Sequence, residues 1–440
     1  MTKSLKEELE KYIESNAVRF HMPGHSGEEI SPIYASAKYD VTELDFNDNL
    51  NCPTDVLLDL EKRIASFCKV DRSLISTTGT TTSILIGLGA LRAFGKVIAI
   101  DQFSHKSVFE AARRWGYKIK IIPRTFDKEG IAEPLTEESI RSFIDLNPDI
   151  SVISFTDPGY LGEQTNQNIP YDYIREKNIK IFIDAAHSAH FRMHYLYRYK
   201  AHDYIDVFVE SWHKTLPVYT GGSILHINDK TGDIIDRALL IRAKVHTSSP
   251  SYLTMVSIEE SLNIQEKWAE SCIYENIFVR LLKIADDHPN FKVLSNPYAS
   301  AKLTINADYN EFIKHGIQPE THWGRWTNFI ITPFNFAQVE KIDELLYKLK
   351  PITKISPLRI PKCPKILPKP ISPDSTIKYV DLDDAIGHIS AADVGAYPPG
   401  VPILYEGQKI TKAHIAFLKK TIGHTFNLNQ GKIAILNSWS

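Results

Sequence analysis

Two hydrophobic periods alternate along the first half of the chain. Leu5, Leu9, Tyr12 and Ile13 recur at helical spacing and predict a short amphipathic helix, followed by a loop carrying Pro23, Gly24 and Gly27. Beyond it, short apolar and β-branched runs stand at Leu74-Ile75, 97–100, 119–122, 150–155, 179–183, 207–209 and 223–227. Helical patterns fall between them, at 57–67, 83–94 and 107–115 among others. Continuous apolar runs separated by helices predict an α/β fold with a mostly parallel, seven-stranded sheet covered on both faces.

In such sheets ligands gather beyond the carboxyl ends of the strands. That directs the search for chemistry to Thr78-Gly79-Thr80, Ser104-His105-Lys106, Asp157-Pro158-Gly159, Asp184-Ala185-Ala186-His187 and Ser211-Trp212-His213-Lys214. These loops are expected to converge on one site. A long helical pattern over 255–286 leads out of the sheet, and a mixed α+β region runs on to 349. Prolines crowd 351–373, which predicts an extended strap or linker rather than regular structure. The expected division is an arm (1–40), a large domain (41–255), a small domain (256–350), a proline-rich linker (351–374) and a C-terminal subdomain (375–440).

Composition narrows the class without naming a reaction. The chain has 440 residues, 43% hydrophobic and 24% charged, which excludes bulk disorder. Its net charge of −2 gives no general attraction for nucleic acid or an anionic membrane. No apolar run is long enough to span a bilayer, and the charged start does not read as a signal peptide. Cys52, Cys68, Cys272 and Cys363 are scattered without metal-like spacing, so reduced, mostly buried thiols in a cytoplasmic protein are expected.

The strand-end loops carry one coherent set of groups. Lys214 follows a strand, where desolvation can leave its amine uncharged and nucleophilic. Asp184 ends an earlier strand and suits a protonated pyridine nitrogen. Gly79, Thr80, Thr81, Thr82 and Ser83 enter a helix, whose free N–H groups and hydroxyls suit a phosphate dianion. Together these are the parts that pyridoxal 5′-phosphate (PLP) requires.

Several segments fall in a telling order: His21-Met22-Pro23-Gly24-His25, Asp40-Val41-Thr42-Glu43, Thr78-Gly79-Thr80-Thr81, Ser104-His105-Lys106-Ser107-Val108 and Asp184-Ala185-Ala186-His187-Ser188-Ala189-His190. Ser211-Trp212-His213-Lys214-Thr215-Leu216, His246-Thr247-Ser248-Ser249-Pro250-Ser251-Tyr252 and Tyr397-Pro398-Pro399-Gly400-Val401-Pro402 complete the series. The chain thereby resembles the Orn/Lys/Arg decarboxylase family, PLP enzymes of the aspartate-aminotransferase fold (fold type I), in a compact form without an N-terminal wing domain. The resemblance implies that Lys214 carries the cofactor, Asp184 pairs with its ring nitrogen, and His105 stacks on one face with Ala186 on the other. It implies that Thr80, Thr81, Ser211 and His213 bind or flank the phosphate, near Gly79 and His187. Thr247 and Ser248 would reach a neighbouring subunit's cofactor, so a homodimer with shared sites, or a higher oligomer, is expected. The implied reaction is α-decarboxylation of a basic amino acid, with His105, Lys214 or a tyrosine as the donor that reprotonates Cα. Polyamine synthesis is one setting for such a reaction.

Substrate-side positions depart from the family more than cofactor-side ones. Ala185 replaces a common glutamate, Ser26 a common lysine, and Gly159 a common threonine. Ala392 stands where compact members carry a glutamate, with Asp393 next, and Gln408 replaces another acid. An aminotransferase or other lyase on the same fold is the alternative; it would need an arginine such as Arg325 or Arg359 for the substrate carboxylate. A PLP-fold scaffold without activity is a further one. Ser211-x-x-Lys214 with Lys230-Thr231-Gly232 fits a penicillin-recognising signature poorly, for lack of the intervening element. The His21/His25 and His187/His190 pairs lack a third ligand, so no metal is expected. Gly87-x-Gly89 reads as helix packing, and Tyr160 and Trp212 read as packing aromatics.

Overall fold

The computed structural model describes residues 3–162, 168–193, 204–294, 301–354, 357–397, 400–421 and 424–437. Pro398 and Pro399 of the proline motif lie outside the described residues. The seven apolar runs form β1 (Arg72–Ser76), β2 (Val97–Asp101), β3 (Lys118–Ile122), β4 (Val152–Thr156), β5 (Lys180–Asp184), β6 (Val207–Glu210) and β7 (Ser223–Ile227). They make one sheet in the order β1-β7-β6-β5-β4-β2-β3, in which β7 alone runs against the rest.

Helices cover both faces, as the continuous apolar runs require. Helices Thr80–Leu91, Lys106–Arg114 and Asp233–Val245 bury Ile84, Leu88, Val108, Phe109 and Ala238 against Ile98, Phe182 and Leu225. On the opposite face Ile140, Ile144 and Ile174 pack on Ile153, Phe155 and Ile183. Gly87 and Gly89 serve this packing: a β-carbon at Gly87 would stand 2.9 Å from Phe182, and one at Gly89 2.6 Å from Trp115.

The opening helix, Leu5–Glu14, docks by burying Leu5 and Leu9, and a distant carboxylate caps it. Lys6 N–H donates to Glu259 at 2.8 Å and Leu5 N–H at 3.2 Å, placing negative charge at the helix N-terminus. The expected single long helix is two, Tyr252–Ala269 and Ile273–Asp287. The backbone N–H and hydroxyl of Ser271 both donate to the Trp268 carbonyl at 2.9 Å, which closes a turn where the helix would otherwise continue.

Beyond these helices stands a second, three-stranded sheet, β8 (Lys302–Ile305), β9 (Thr321–Trp323) and β10 (Trp326–Ile330), in the order β8-β10-β9. The proline-rich segment is an extended strap that pairs with the outer strand β3 of the large sheet. Ile121 N–H donates to Lys365 O and Leu367 N–H to Ile119 O, each at 3.0 Å, so the exposed edge is covered. A C-terminal region follows, with two small sheets, helix Lys412–Thr421 and a core around Leu404, Phe417 and Ile435. The thiols correct one expectation. Cys68 alone is buried, whereas Cys52 and Cys272 are exposed at loop positions and Cys363 is half-buried in the strap.

Candidate active site

Strand-end loops meet at a cavity of about 300 Å³, large enough for a small cofactor and a substrate. Gly79, Thr80, Thr81, His105, Asp184, Ala186, His187, Ser211, His213 and Lys214 all line it. The sheet order explains the convergence, because β4, β5 and β6 are neighbours and discharge their loops at one end.

The floor is built from β5 and β6. Asp184 ends β5 and is buried, with Ala186 N–H donating to Oδ1 at 3.2 Å. Burial raises its pKa from the ordinary carboxylate value, and the opposing pull of Lys214 lowers it. Lys214 sits in the one-turn helix Trp212–Thr215 after β6. Desolvation lowers its pKa below that of a free lysine, against the attraction of Asp184 and Glu320. Its Nζ stands 3.1 Å from His187 Nε2, and burial also keeps the His187 imidazole neutral.

Trp212 is a packing residue, as its pattern suggested. It is fully buried, and its indole N–H donates to Glu210 at 3.0 Å. Glu210 also accepts from Arg192 and faces His226 at 3.2 Å, so a paired acid beneath the floor fixes the turn that presents Lys214.

The walls come from β1 and β2. His105 caps helix Lys106–Arg114: its Nδ1 accepts from Ser107 N–H at 3.2 Å and lies 2.7 Å from the Ser107 hydroxyl. Desolvation, helped by Lys214, lowers the His105 pKa to about 4, so the ring presents a neutral face. Gly79, with φ +80°, turns the chain into helix Thr80–Leu91, whose first N–H groups have no intrahelical acceptor. Ser211 Oγ lies 3.2 Å from His213 Nδ1, which completes a polar corner beside that helix start.

Other residues named from the sequence lie outside this cavity's lining, Thr247 and Ser248 being expected at a neighbouring subunit's site rather than here. Thr247 and Ser248 follow His246, whose Nε2 accepts from Thr77 N–H at 3.2 Å behind the Gly79 turn. Arg325 is held by Glu129 at 2.7 and 2.8 Å, and Arg359 is exposed in the strap. Asp393, beside Ala392, is buried and bound to Arg113 at 2.5 and 2.8 Å.

Tyr160 corrects the packing reading, because it lines the cavity and its hydroxyl donates to Glu320 at 3.0 Å. Glu320 itself escaped the sequence reading. It sits one residue before β9, in no motif and far along the chain from the loops it faces. Pro158, in one of the loops expected to converge here, lines the cavity too; Phe103 and Val401 line it without having been singled out for it.

The Orn/Lys/Arg decarboxylase major-domain family matches residues 4–329, and the family's C-terminal domain matches residues 373–426. The chain belongs to the Orn/Lys/Arg decarboxylase family. This decarboxylase is 26% identical to an uncharacterized protein of Bacillus subtilis, over 96% of this chain and 95% of that one. It is 23% identical to an arginine decarboxylase of Halalkalibacterium halodurans, over 92% of this chain and 90% of the relative. Among solved structures, a lysine decarboxylase of Francisella novicida superposes with a TM-score of 0.76 at 20% identity, covering 99% of this chain and 81% of that one. The constitutive lysine decarboxylase of E. coli gives 0.72 at 18% identity, over 98% and 82%. At that identity the likeness establishes the fold, PLP fold type I.

The decarboxylase uses PLP, and its residues fit that group on their own evidence. Thr80 Oγ1 is buried at the cavity wall with no hydrogen-bond partner, a donor that an incoming phosphate would satisfy. Asp184 is a buried acid that a cationic ring nitrogen would compensate. Among the described residues no helix is long and apolar enough to cross a membrane.

Proposed function

We propose that the enzyme removes the α-carboxylate of a basic amino acid, lysine, ornithine, arginine or a close relative, to give the amine and carbon dioxide. One observation carries the reading: Lys214 and Asp184 stand at the ends of neighbouring strands, on the floor of a cavity walled by His105 and the Gly79-Thr80 turn.

Lys214 would hold the cofactor covalently, and desolvation, by lowering its pKa, eases formation of the neutral amine that attachment requires. Asp184 would keep a proton on the ring nitrogen. His105 and Ala186 would pack on the two ring faces, and Thr80, Thr81, Ser211 and His213 would hold or flank the phosphate. Bound there, PLP supplies the sink for the electron pair left at Cα when the carboxylate departs. His187, in hydrogen-bond reach of Lys214, is placed to relay a proton to or from the lysine amine.

An aminotransferase must grip the substrate carboxylate, usually with an arginine, yet no arginine lies among the described residues lining the cavity. Loss of the carboxylate needs no such clamp. A homodimer is proposed with it. Phe20 is 97% exposed and Ile33 87%, an apolar arm that a partner would cover, and Thr247 with Ser248 would face that partner's site. The division into arm, large domain, small domain, strap and C-terminal subdomain is proposed on the same footing.

The test is incubation of purified enzyme and PLP with lysine, ornithine and arginine, followed by mass spectrometry. The amine of at least one is expected. Keto acid formed at the expense of pyruvate, without carbon dioxide, would favour the aminotransferase.

A further inference from the structure

Among the described residues lining the cavity, two are carboxylates, Asp184 and Glu320. They differ in depth, and both act electrostatically on Lys214. Asp184 is buried at the floor, whereas Glu320 is exposed at the mouth. A substrate whose α-carbon is held near Lys214 and whose side chain extends outward therefore brings its far end toward Glu320.

Glu320 is held there rather than free to swing. Its backbone N–H donates to Asn328 O at 2.9 Å, fixing it at the start of β9. Tyr160 donates to one carboxylate oxygen at 3.0 Å, which leaves further lone pairs directed elsewhere. Tyr160 is itself anchored by the same small sheet. Lys302 Nζ donates to its carbonyl at 2.6 Å and Asn328 Nδ2 at 3.3 Å. The Thr304 hydroxyl donates to Leu161 O at 3.3 Å, so β8 and β10 clamp the whole loop that carries Tyr160. Burial raises the Tyr160 pKa, and Glu320 raises it further, so the phenol remains a donor.

We propose that Glu320, oriented by Tyr160, receives the distal cationic group of the substrate and sets the enzyme's preference for a basic side chain. This rests on the basic-substrate reading above. Glu320 is the specificity residue, and Tyr160 is a positioning residue that aligns its carboxylate. Removing a charged hydrogen-bond partner at such a place weakens binding by about 10- to 100-fold.

The test compares wild-type holoenzyme with Glu320→Gln and Tyr160→Phe, using lysine, ornithine, arginine and the neutral isostere norleucine. For the basic amino acid the wild type prefers, Glu320→Gln should raise KM by about 10- to 100-fold with kcat changed by less than about threefold. Its selectivity over norleucine should fall by the same factor. Calorimetric affinity for the amine product should drop in parallel, while the cofactor's absorbance and melting temperature stay at wild-type values. Tyr160→Phe should show a smaller shift of the same kind. Unchanged KM and product affinity in Glu320→Gln, with an active wild type, overturn the assignment alone. Release of carbon dioxide from none of the three basic amino acids by the wild type overturns the basic-substrate reading and the assignment together.

Discussion

Gly400 lies directly against the His105 ring. A β-carbon at position 400 would stand 2.5 Å from His105 Cδ2 and 2.7 Å from Nε2, and the backbone there has φ +79°. Lys106 N–H donates to Gly400 O at 2.8 Å, so the C-terminal region and the His105 loop are stitched together at the cavity wall. Only glycine meets both demands, of conformation and of space. Gly400→Ala should therefore cost about 2 kcal/mol or more of stability and displace His105. Thermal unfolding and a PLP titration read both effects; wild-type values in each would show the contact to be slack.

Replacing Lys214 by alanine should remove the covalent hold on the cofactor. The visible absorbance of the holoenzyme should vanish, and amine production should fall by at least about a thousandfold. The fold should survive, because Lys214 lies on the cavity side of a turn already fixed by Trp212 and Glu210. A spectrum and melting temperature for K214A are the checks.

Arg325 offers a contrast between stability and chemistry. It pairs with Glu129 through two hydrogen bonds, with side chains only 8% and 10% exposed. Arg325→Ala should cost about 3 kcal/mol of stability by leaving Glu129 uncompensated, while KM and kcat change little at 25 °C. A large rise in KM would instead tie Arg325 to the substrate carboxylate and revive the aminotransferase alternative.

His105 makes the apoenzyme sensitive to acid. The unfolded chain takes up this proton below about pH 6.5, the folded chain only below about 4. Stability contributed by the neutral ring is thus complete above 6.5, declines as pH falls, and is lost by about 4. The wild type should lose more stability than His105→Phe between pH 6.5 and 4, measured by denaturant unfolding. Parallel pH profiles would mean that the ring is solvated.

Much of this arrangement is legible in the chain, for a physical reason. Buried parallel strands need unbroken apolar runs, and their carboxyl ends converge by topology, so Asp184, His105 and Lys214 could be placed together from sequence. Glu320 could not. It reaches the cavity because β8 and β10 grip the Tyr160 loop, a tertiary contact with no local pattern. The same holds for the strap, whose prolines announce an extended chain but not its pairing with β3, and for the helix break, where Ser271 decides the outcome by side-chain bonding.

Reducing the holoenzyme with borohydride and mapping its peptides by mass spectrometry tests most directly whether this cavity is where PLP is held. The cofactor's mass should appear on the peptide containing Lys214 and be absent from K214A. Attachment to any other lysine, or an unmodified Lys214 in an enzyme that still makes amine, would contradict it.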